Sequence, residues 1–327
     1  MTILITGTRD LMANVLARSL AASGHRVRVL TRSPHTVPAW RDKGVEAFEW
    51  HPLTDTVPDA ALEGVDLIFH LLTEPLEGAL TPEKLERMAD LPLEGMRKLV
   101  QAAQRRPGGI NGLRLLVRSS VAVYAGGGMA LHDSAPVGPH TAFSYGEIPA
   151  RVEQEAAALQ REGVTVFLAR FGAILGPDGL FAVLRDLGEQ GLLATRSSVH
   201  TCPVVALADA VGACAFVGLK SRDGGAVNIA TPQTISAGKI VSLVADACTP
   251  RLRWPQASRT MRARCGAYHD LLSKARNVVP QRLIDTGFAF TQPDPEHVLQ
   301  AALKTYVTER DAARAKRPSV LAWRPTF

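Results

Sequence analysis

The chain has 327 residues, with 37 Lys and Arg against 31 Asp and Glu, for a formal charge of +6. Hydrophobic residues make up 46% and charged residues 21%, a globular balance that excludes a disordered, collagen-like or disulfide-framework chain. The positive residues are scattered and no aromatic–basic motif of an RNA or DNA reader appears, so no nucleic-acid partner is expected.

TILIT at 2–6 is a short apolar run followed by Gly7 and reads as a buried strand. Leu11, Met12, Val15, Leu16 and Leu20 then recur at helical spacing, and Gly24 closes that helix. RVRVLT at 26–31 predicts a second strand, 45–50 a third and DLIFHLL at 66–72 a fourth. Thr81-Pro82 is a cap followed by proline at the first helical position, opening a helix to about Arg106. RLLVRSS at 114–120 is a fifth strand, followed by a helix over 145–162 and the strand VTVFLAR at 164–170. Strands alternating with helices predict a parallel sheet covered on both faces. After Arg170 the alternation breaks down, apart from a returning helix at 204–219 and a strand at 226–229. Residues 236–307 read as helices with loops, and the basic run from 310 has no core pattern, as a tail or an arm packing on a neighbour.

The apolar stretch 203–219 carries Asp209 and is too short to span a membrane. The first residues enter a strand with no basic segment ahead of it, so no signal peptide and a cytoplasmic location are expected. The four cysteines lack metal or redox spacing, and no metal site is expected.

ILITG near the start, LTRSP at 30–34, HLLTEPLEGALTPEKLERM at 70–88, SSVAVY at 119–124, RFGAILGPDG at 170–179 and VVPQRLIDTGFAF at 278–290 follow one another in a specific order. Together they resemble the extended short-chain dehydrogenase/reductase superfamily, and within it the YfcH-like group of sugar-nucleotide epimerases, over roughly residues 1–307. The resemblance implies an α/β fold: a Rossmann-like doubly wound parallel sheet from residues 1–172, completed by about 204–232. It also implies a smaller C-terminal substrate lobe from 173–203 and 233–309, with 310–327 as a basic tail. A homodimer and a small-molecule substrate are expected on the same ground.

The chain departs from the family pattern where the cofactor sits. The family's TGxxGxxG turn lets the backbone approach a pyrophosphate at a helix N-terminus. Here Gly7 is kept and Ala13 replaces the third glycine, but Asp10 stands in place of the second. A carboxylate there crowds and repels a phosphate, and can cap the helix itself. Leu72-Thr73 replaces a small pair on the adenosine side, and is expected to keep Asp10→Gly alone from creating strong NADPH affinity. His51 follows Trp50 where the family often carries an acid. Arg32 and Arg9 point the other way, since Arg32 sits where NADP-preferring relatives hold the 2′-phosphate. If a cofactor binds, Gly7, Arg9 and Arg32 are its expected contacts, so the expectation is no NADP(H) or only weak NADP(H).

The resemblance implies acid–base work by tyrosine, with a serine orienting the substrate carbonyl and a lysine lowering the phenol pKa. Ser120 and Tyr124 match SSxxVY, and Tyr145 falls at the YxxxK tyrosine, but Pro149 takes the lysine position. An unperturbed phenol near pKa ~10 is a poor base at neutral pH. Tyr145 then serves as a hydrogen-bond donor or general acid, or as a packed aromatic. Ser120, Tyr124 and Tyr145 are the candidate catalytic residues. His70, His132, His200 and His269 lack a paired carboxylate, Asp209 reads as a helix cap, and Gly126–Gly128 as a mobile loop over the cleft.

The leading expectation is a repurposed superfamily member that has lost ordinary nicotinamide redox chemistry. It would transform a small molecule by a non-redox cyclisation, dehydration or isomerisation in a biosynthetic pathway. An NADPH-dependent oxidoreductase or epimerase, and a non-catalytic binding or regulatory protein using the basic tail, are the alternatives.

Overall fold

The computed structural model describes residues 1–33, 36–125, 127–138, 145–193, 199–248, 257–274 and 276–315. The strands are β1 (Thr2–Thr6), β2 (Arg26–Thr31), β3 (Glu46–Glu49), β4 (Leu67–His70), β5 (Arg114–Ser120), β6 (Gly127–Leu131) and β7 (Thr165–Phe171). They continue with β8 (Ala173–Leu175), β9 (Thr201–Cys202), β10 (Val204–Ala206), β11 (Gly225–Ile229), β12 (Ile235–Ser236) and β13 (Arg276–Val278). The longer helices are α1 (Leu11–Ala22), α4 (Pro82–Arg105), α5 (Glu147–Ala158), α6 (Gly179–Glu189), α7 (Leu207–Lys220), α8 (Ala237–Ala247) and α12 (Pro295–Ala315). Shorter ones are α2 (Val37–Arg41), α3 (Asp59–Leu62), α9 (Ala257–Cys265), α10 (Ala267–Ser273) and α11 (Gln281–Asp285).

Seven strands form one parallel sheet in the order β11-β7-β5-β4-β1-β2-β3. The predicted Rossmann-like α/β sheet is therefore present. Strands such as β1 and β4 are mostly apolar and buried because α1 and α7 cover one face and α4 and α5 the other. The chain leaves β1 towards β2 and β3, then returns to the opposite side of β1 with β4. The crevice at such a reversal, outside the strands' carboxyl ends, is the usual ligand site of this architecture. A third apolar cluster, from α6, α8, α10 and the small strand pairs, forms the lobe facing that crevice.

Several local expectations need correction. The run read as one helix over 204–219 begins with β10, three buried residues paired with β8, before α7 starts. Gly127 opens β6, which pairs with β13, so the glycine run is partly strand; Gly126 lies outside the described residues. α12 continues to Ala315, and Arg310 donates to the carbonyl of Ala247 at 2.9 Å, so the first part of the supposed tail packs on α8. Residues 316–327 lie outside the described residues. No helix among the described residues is long and apolar enough to cross a membrane.

Candidate active site

The β1–α1 turn is built around Gly7, whose φ is +81°. A Cβ there would lie 2.4 Å from the carbonyl oxygen of Leu71, so this glycine is required by the backbone leaving β4. Asp10 caps α1, its Oδ1 accepting from the amides of Met12 at 2.9 Å and Ala13 at 3.4 Å. Its Oδ2 lies 3.1 Å from Nη1 of Arg118, near the carboxyl end of β5. Arg118 Nη1 is buried, and among the described residues Asp10 is its one close anionic neighbour, with no well-aligned hydrogen-bond acceptor. The guanidinium stacks over Phe171 with 5.6 Å to the ring centroid.

These groups line a cleft of about 280 Å³ at the sheet's reversal point, near the lower end of small-ligand sites. Its wall includes Arg9, Arg32, Thr73 and Glu74 on one side and Ser120, Tyr145, Asp178 and Tyr268 on the other. Arg9 is exposed, and Arg32 lies 3.8 Å from the Glu74 carboxylate. Leu72 does not face this space. It packs among Trp50, Met88 and Leu93 under α4, so the expectation that it crowds the adenosine side is overturned; Thr73 alone of that pair lines the cleft.

Ser120 and Tyr145 meet. Both line the cleft, with the Ser120 hydroxyl among the groups that lower the Tyr145 phenol, while Ser120 Oγ accepts from the amide of Ala122 at 3.2 Å. Burial pushes the Tyr145 phenol above its ordinary value, offset in part by the Arg118 charge and the Ser120 hydroxyl. Tyr268 reaches in from α10 and is likewise raised by burial. Its hydroxyl would sit 2.9 Å from a Cβ on Gly179, where φ is already +63°. Asp178 precedes α6 without capping it, and burial raises its carboxyl, helped by the nearby Asp10 charge. Pro149 is buried in the first turn of α5.

Tyr124 is elsewhere. It is fully buried, donating to Asn228 Oδ1 at 2.7 Å and accepting from Arg170 Nη1 at 2.8 Å. A 3₁₀ turn over Val121–Val123 carries it past the cleft, and its hydroxyl is engaged in the lobe junction. Its expected catalytic role is thereby withdrawn. Asp209 is not a cap either: it is buried inside α7 and accepts from Thr291 and Gln292, pinning the segment before α12.

None of the four histidines lines the cleft. His132 and His200 are exposed, and His269 is half-buried. His70 is buried, with Nε2 2.8 Å from the Pro92 carbonyl and Nδ1 3.3 Å from Thr6 Oγ1, which assigns the proton to Nε2. Burial, opposed by the Pro92 bond, lowers its pKa to about 4. An unfolded histidine titrates near ~6.5, so between these values the unfolded chain binds more protons and stability falls as pH drops. Stability is expected to be full at pH 7 and about 2 kcal/mol lower at pH 5 from this group. Urea midpoints at the two pH values, compared with His70→Gln, check this; an equal drop in the variant would refute it. Among the described residues no group of His, Cys, Asp and Glu converges as a metal site, and the four cysteines are buried and free.

The model of the NAD dependent epimerase/dehydratase family matches residues 3–230, which include the cleft's β1–α1 turn, Ser120 and Tyr145. The chain belongs to that family. It is 23% identical to the Bacillus subtilis (strain 168) epimerase family protein YfhF, over 91% of this chain and 97% of that one. The fold is similar to human epimerase family protein SDR39U1 with NADPH, at TM-score 0.73 and 20% identity over 94% and 99% of the two chains. It is also similar to dTDP-glucose 4,6-dehydratase from Bacillus anthracis in complex with NAD, at TM-score 0.69 and 15% identity over 95% and 98%.

A dinucleotide held in the family's usual way does not fit these side chains as they stand. The α1 amides that would meet a pyrophosphate are taken by Asp10, and Arg32 faces Glu74. Sequence reasoning found Asp10, read Asp178 only as part of a turn at the cofactor–substrate boundary, and missed Arg118, Glu74 and Tyr268. Arg118 had a signal: a charged residue inside an apolar strand, two positions from Ser120 and so on the same face.

Proposed function

We propose that this family member is an enzyme that moves protons on a small polar substrate without nicotinamide redox chemistry, as in a dehydration or an isomerisation. The observation that carries this is the pair of internal carboxylates: Asp10 on the α1 amides and Glu74 on Arg32. Both anion-holding positions are filled by the chain itself, while the acid–base groups of the cleft remain.

The raised phenol of Tyr145 is protonated at neutral pH, which suits it to donate to a substrate oxygen, with Ser120 fixing its direction. Without a lysine at Pro149, it is a poor base. Asp178, with its raised carboxyl, is the better base. In a dehydration, Asp178 takes the proton from the carbon next to a carbonyl, the electron pair forms the new double bond, and the hydroxyl leaves with the Tyr145 proton as water. No electron acceptor is needed.

Calorimetric titration of the cofactor-stripped protein with NADPH and NADH tests the reading. The expected result is no heat at about millimolar ligand, equivalent to binding weaker than roughly −4 kcal/mol. One-to-one binding of NADPH in preference to NADH would overturn it. That second reading, an NADPH-dependent oxidoreductase or epimerase, is favoured by Arg9 and Arg32 on the cleft wall and by the likeness to a fold that holds NADPH. It requires Glu74 to release Arg32, and predicts weaker NADPH binding in Arg32→Ala.

A further inference from the structure

The tyrosine of this cleft lacks the lysine that the family resemblance places four residues after it. Pro149 has no charge to offer and is buried in α5. The cleft nevertheless holds a cation that faces inward from a different element. Arg118 and Ser120 are two residues apart on β5 and share a face, and both line the cleft together with Tyr145. The Arg118 guanidinium is fixed from two sides, by the Phe171 ring at 5.6 Å and Asp10 Oδ2 at 3.1 Å. Its Nη1 is buried with no well-aligned hydrogen-bond acceptor among the described residues.

We infer that Arg118 supplies, from strand β5, the positive charge beside Tyr145 that the family otherwise carries on a helical lysine, with Asp10 as the counter-ion that sets its strength. The inference deepens the proton-transfer reading above and rests on it for the role of Tyr145. Arg118 is a positioning residue: it acts through the phenol, whose oxyanion form a neighbouring cation stabilises. The alternative is that Arg118 exists only to neutralise Asp10.

The ionisable groups facing Arg118 and Tyr145 are Asp10 at the start of α1, Asp178 before α6, Cys214 of α7, and Tyr268 and Asp270 of α10. Lys274 and Arg276 hold Asp270 ionised, so at neutral and alkaline pH its charge acts on Tyr145 in the opposite sense to Arg118. Tyr268 feels Arg118 as well and is expected to move with Tyr145.

The chain has four tyrosines, so fluorine NMR of full-length protein carrying difluorotyrosine gives a small, assignable set of signals. Fluorination makes the phenols more acidic and so moves their titrations to less alkaline pH, and Tyr145→Phe and Tyr268→Phe assign the two cleft signals. Arg118→Met is expected to raise the Tyr145 titration midpoint by roughly one pH unit. Asp10→Asn keeps the helix cap but removes the counter-charge, and is expected to shift the midpoint in the opposite direction. This variant retains the fold if Arg118→Met does not. Arg118→Lys should restore most of the native midpoint, while Tyr124, beside Arg170, stays unmoved throughout. A Tyr145 midpoint unchanged in Asp10→Asn and Arg118→Met would overturn the inference, as would an equal movement of Tyr124. NADPH binding by calorimetry would instead overturn the non-redox reading while leaving these shifts in place.

Discussion

Glu153→Ala is expected to destabilise the protein by about 3–5 kcal/mol, the cost of leaving a buried charge without its partner. Glu153 and Arg170 are 5% and 6% exposed, and meet through two parallel bonds of 2.8 and 2.7 Å. The guanidinium also donates to the Tyr124 hydroxyl, while Ser119 donates to Glu153. One carboxylate on α5 thus ties together the carboxyl ends of β5 and β7. Its removal leaves Arg170 buried against Tyr124 with no countercharge, and frees the strand position next to Ser120. Urea unfolding of the native protein and the variant measures the loss through the shift in midpoint. A paired Glu153→Met and Arg170→Met replacement should recover much of it, because no lone charge then remains buried. A loss of less than about 1 kcal/mol in Glu153→Ala would place the pair among ordinary surface ion pairs.

The same network shows why the sheet was legible in the sequence and the site only in part. β1 and β4 are short, mostly apolar runs and β2 and β5 are apolar segments interrupted by arginines, and burial on both faces of the sheet favours that composition. The Asp10 cap is local, made to amides two and three residues away, so it was readable. Tyr124 was not, because its partners Asn228 and Arg170 lie 104 and 46 residues away. The SSVAVY segment alone gives no sign that a 3₁₀ turn separates Ser120 from the tyrosine four residues later. Leu72 failed for a different reason: at a strand end, a one-residue change of parity decides whether a side chain meets the cleft or the core. The lobe residues Tyr268 and Asp178 follow irregular chain with no period to read. Their convergence on Arg118 exists only in three dimensions.

Asp10→Gly is the substitution expected to change ligand choice most. With Leu72 packed under α4, the crowding that would have blocked a dinucleotide in this variant is reduced to Thr73 and Glu74. Removing the carboxylate frees the Met12 and Ala13 amides at the helix N-terminus and leaves the Arg118 charge beside them. Two like unit charges about 4 Å apart repel by roughly 1–4 kcal/mol between bulk water and near-surface screening. Relief of that repulsion corresponds to a gain of about five- to thousand-fold in affinity for a pyrophosphate. Glycine is also a tolerated N-cap, only a few tenths of a kcal/mol below aspartate, so the α1 cap itself survives the change. Calorimetry with inorganic pyrophosphate and NADPH separates two contributions. Gain for both ligands assigns the exclusion to Asp10. Gain for pyrophosphate alone assigns the remainder to Thr73 and Glu74 on the adenosine side. Asp10→Asn, which keeps the amides occupied but removes the charge, should gain less than Asp10→Gly. An Asp10→Gly protein that binds neither ligand better than the native chain would mean that Asp10 is only a helix cap and does not set the affinity for a dinucleotide.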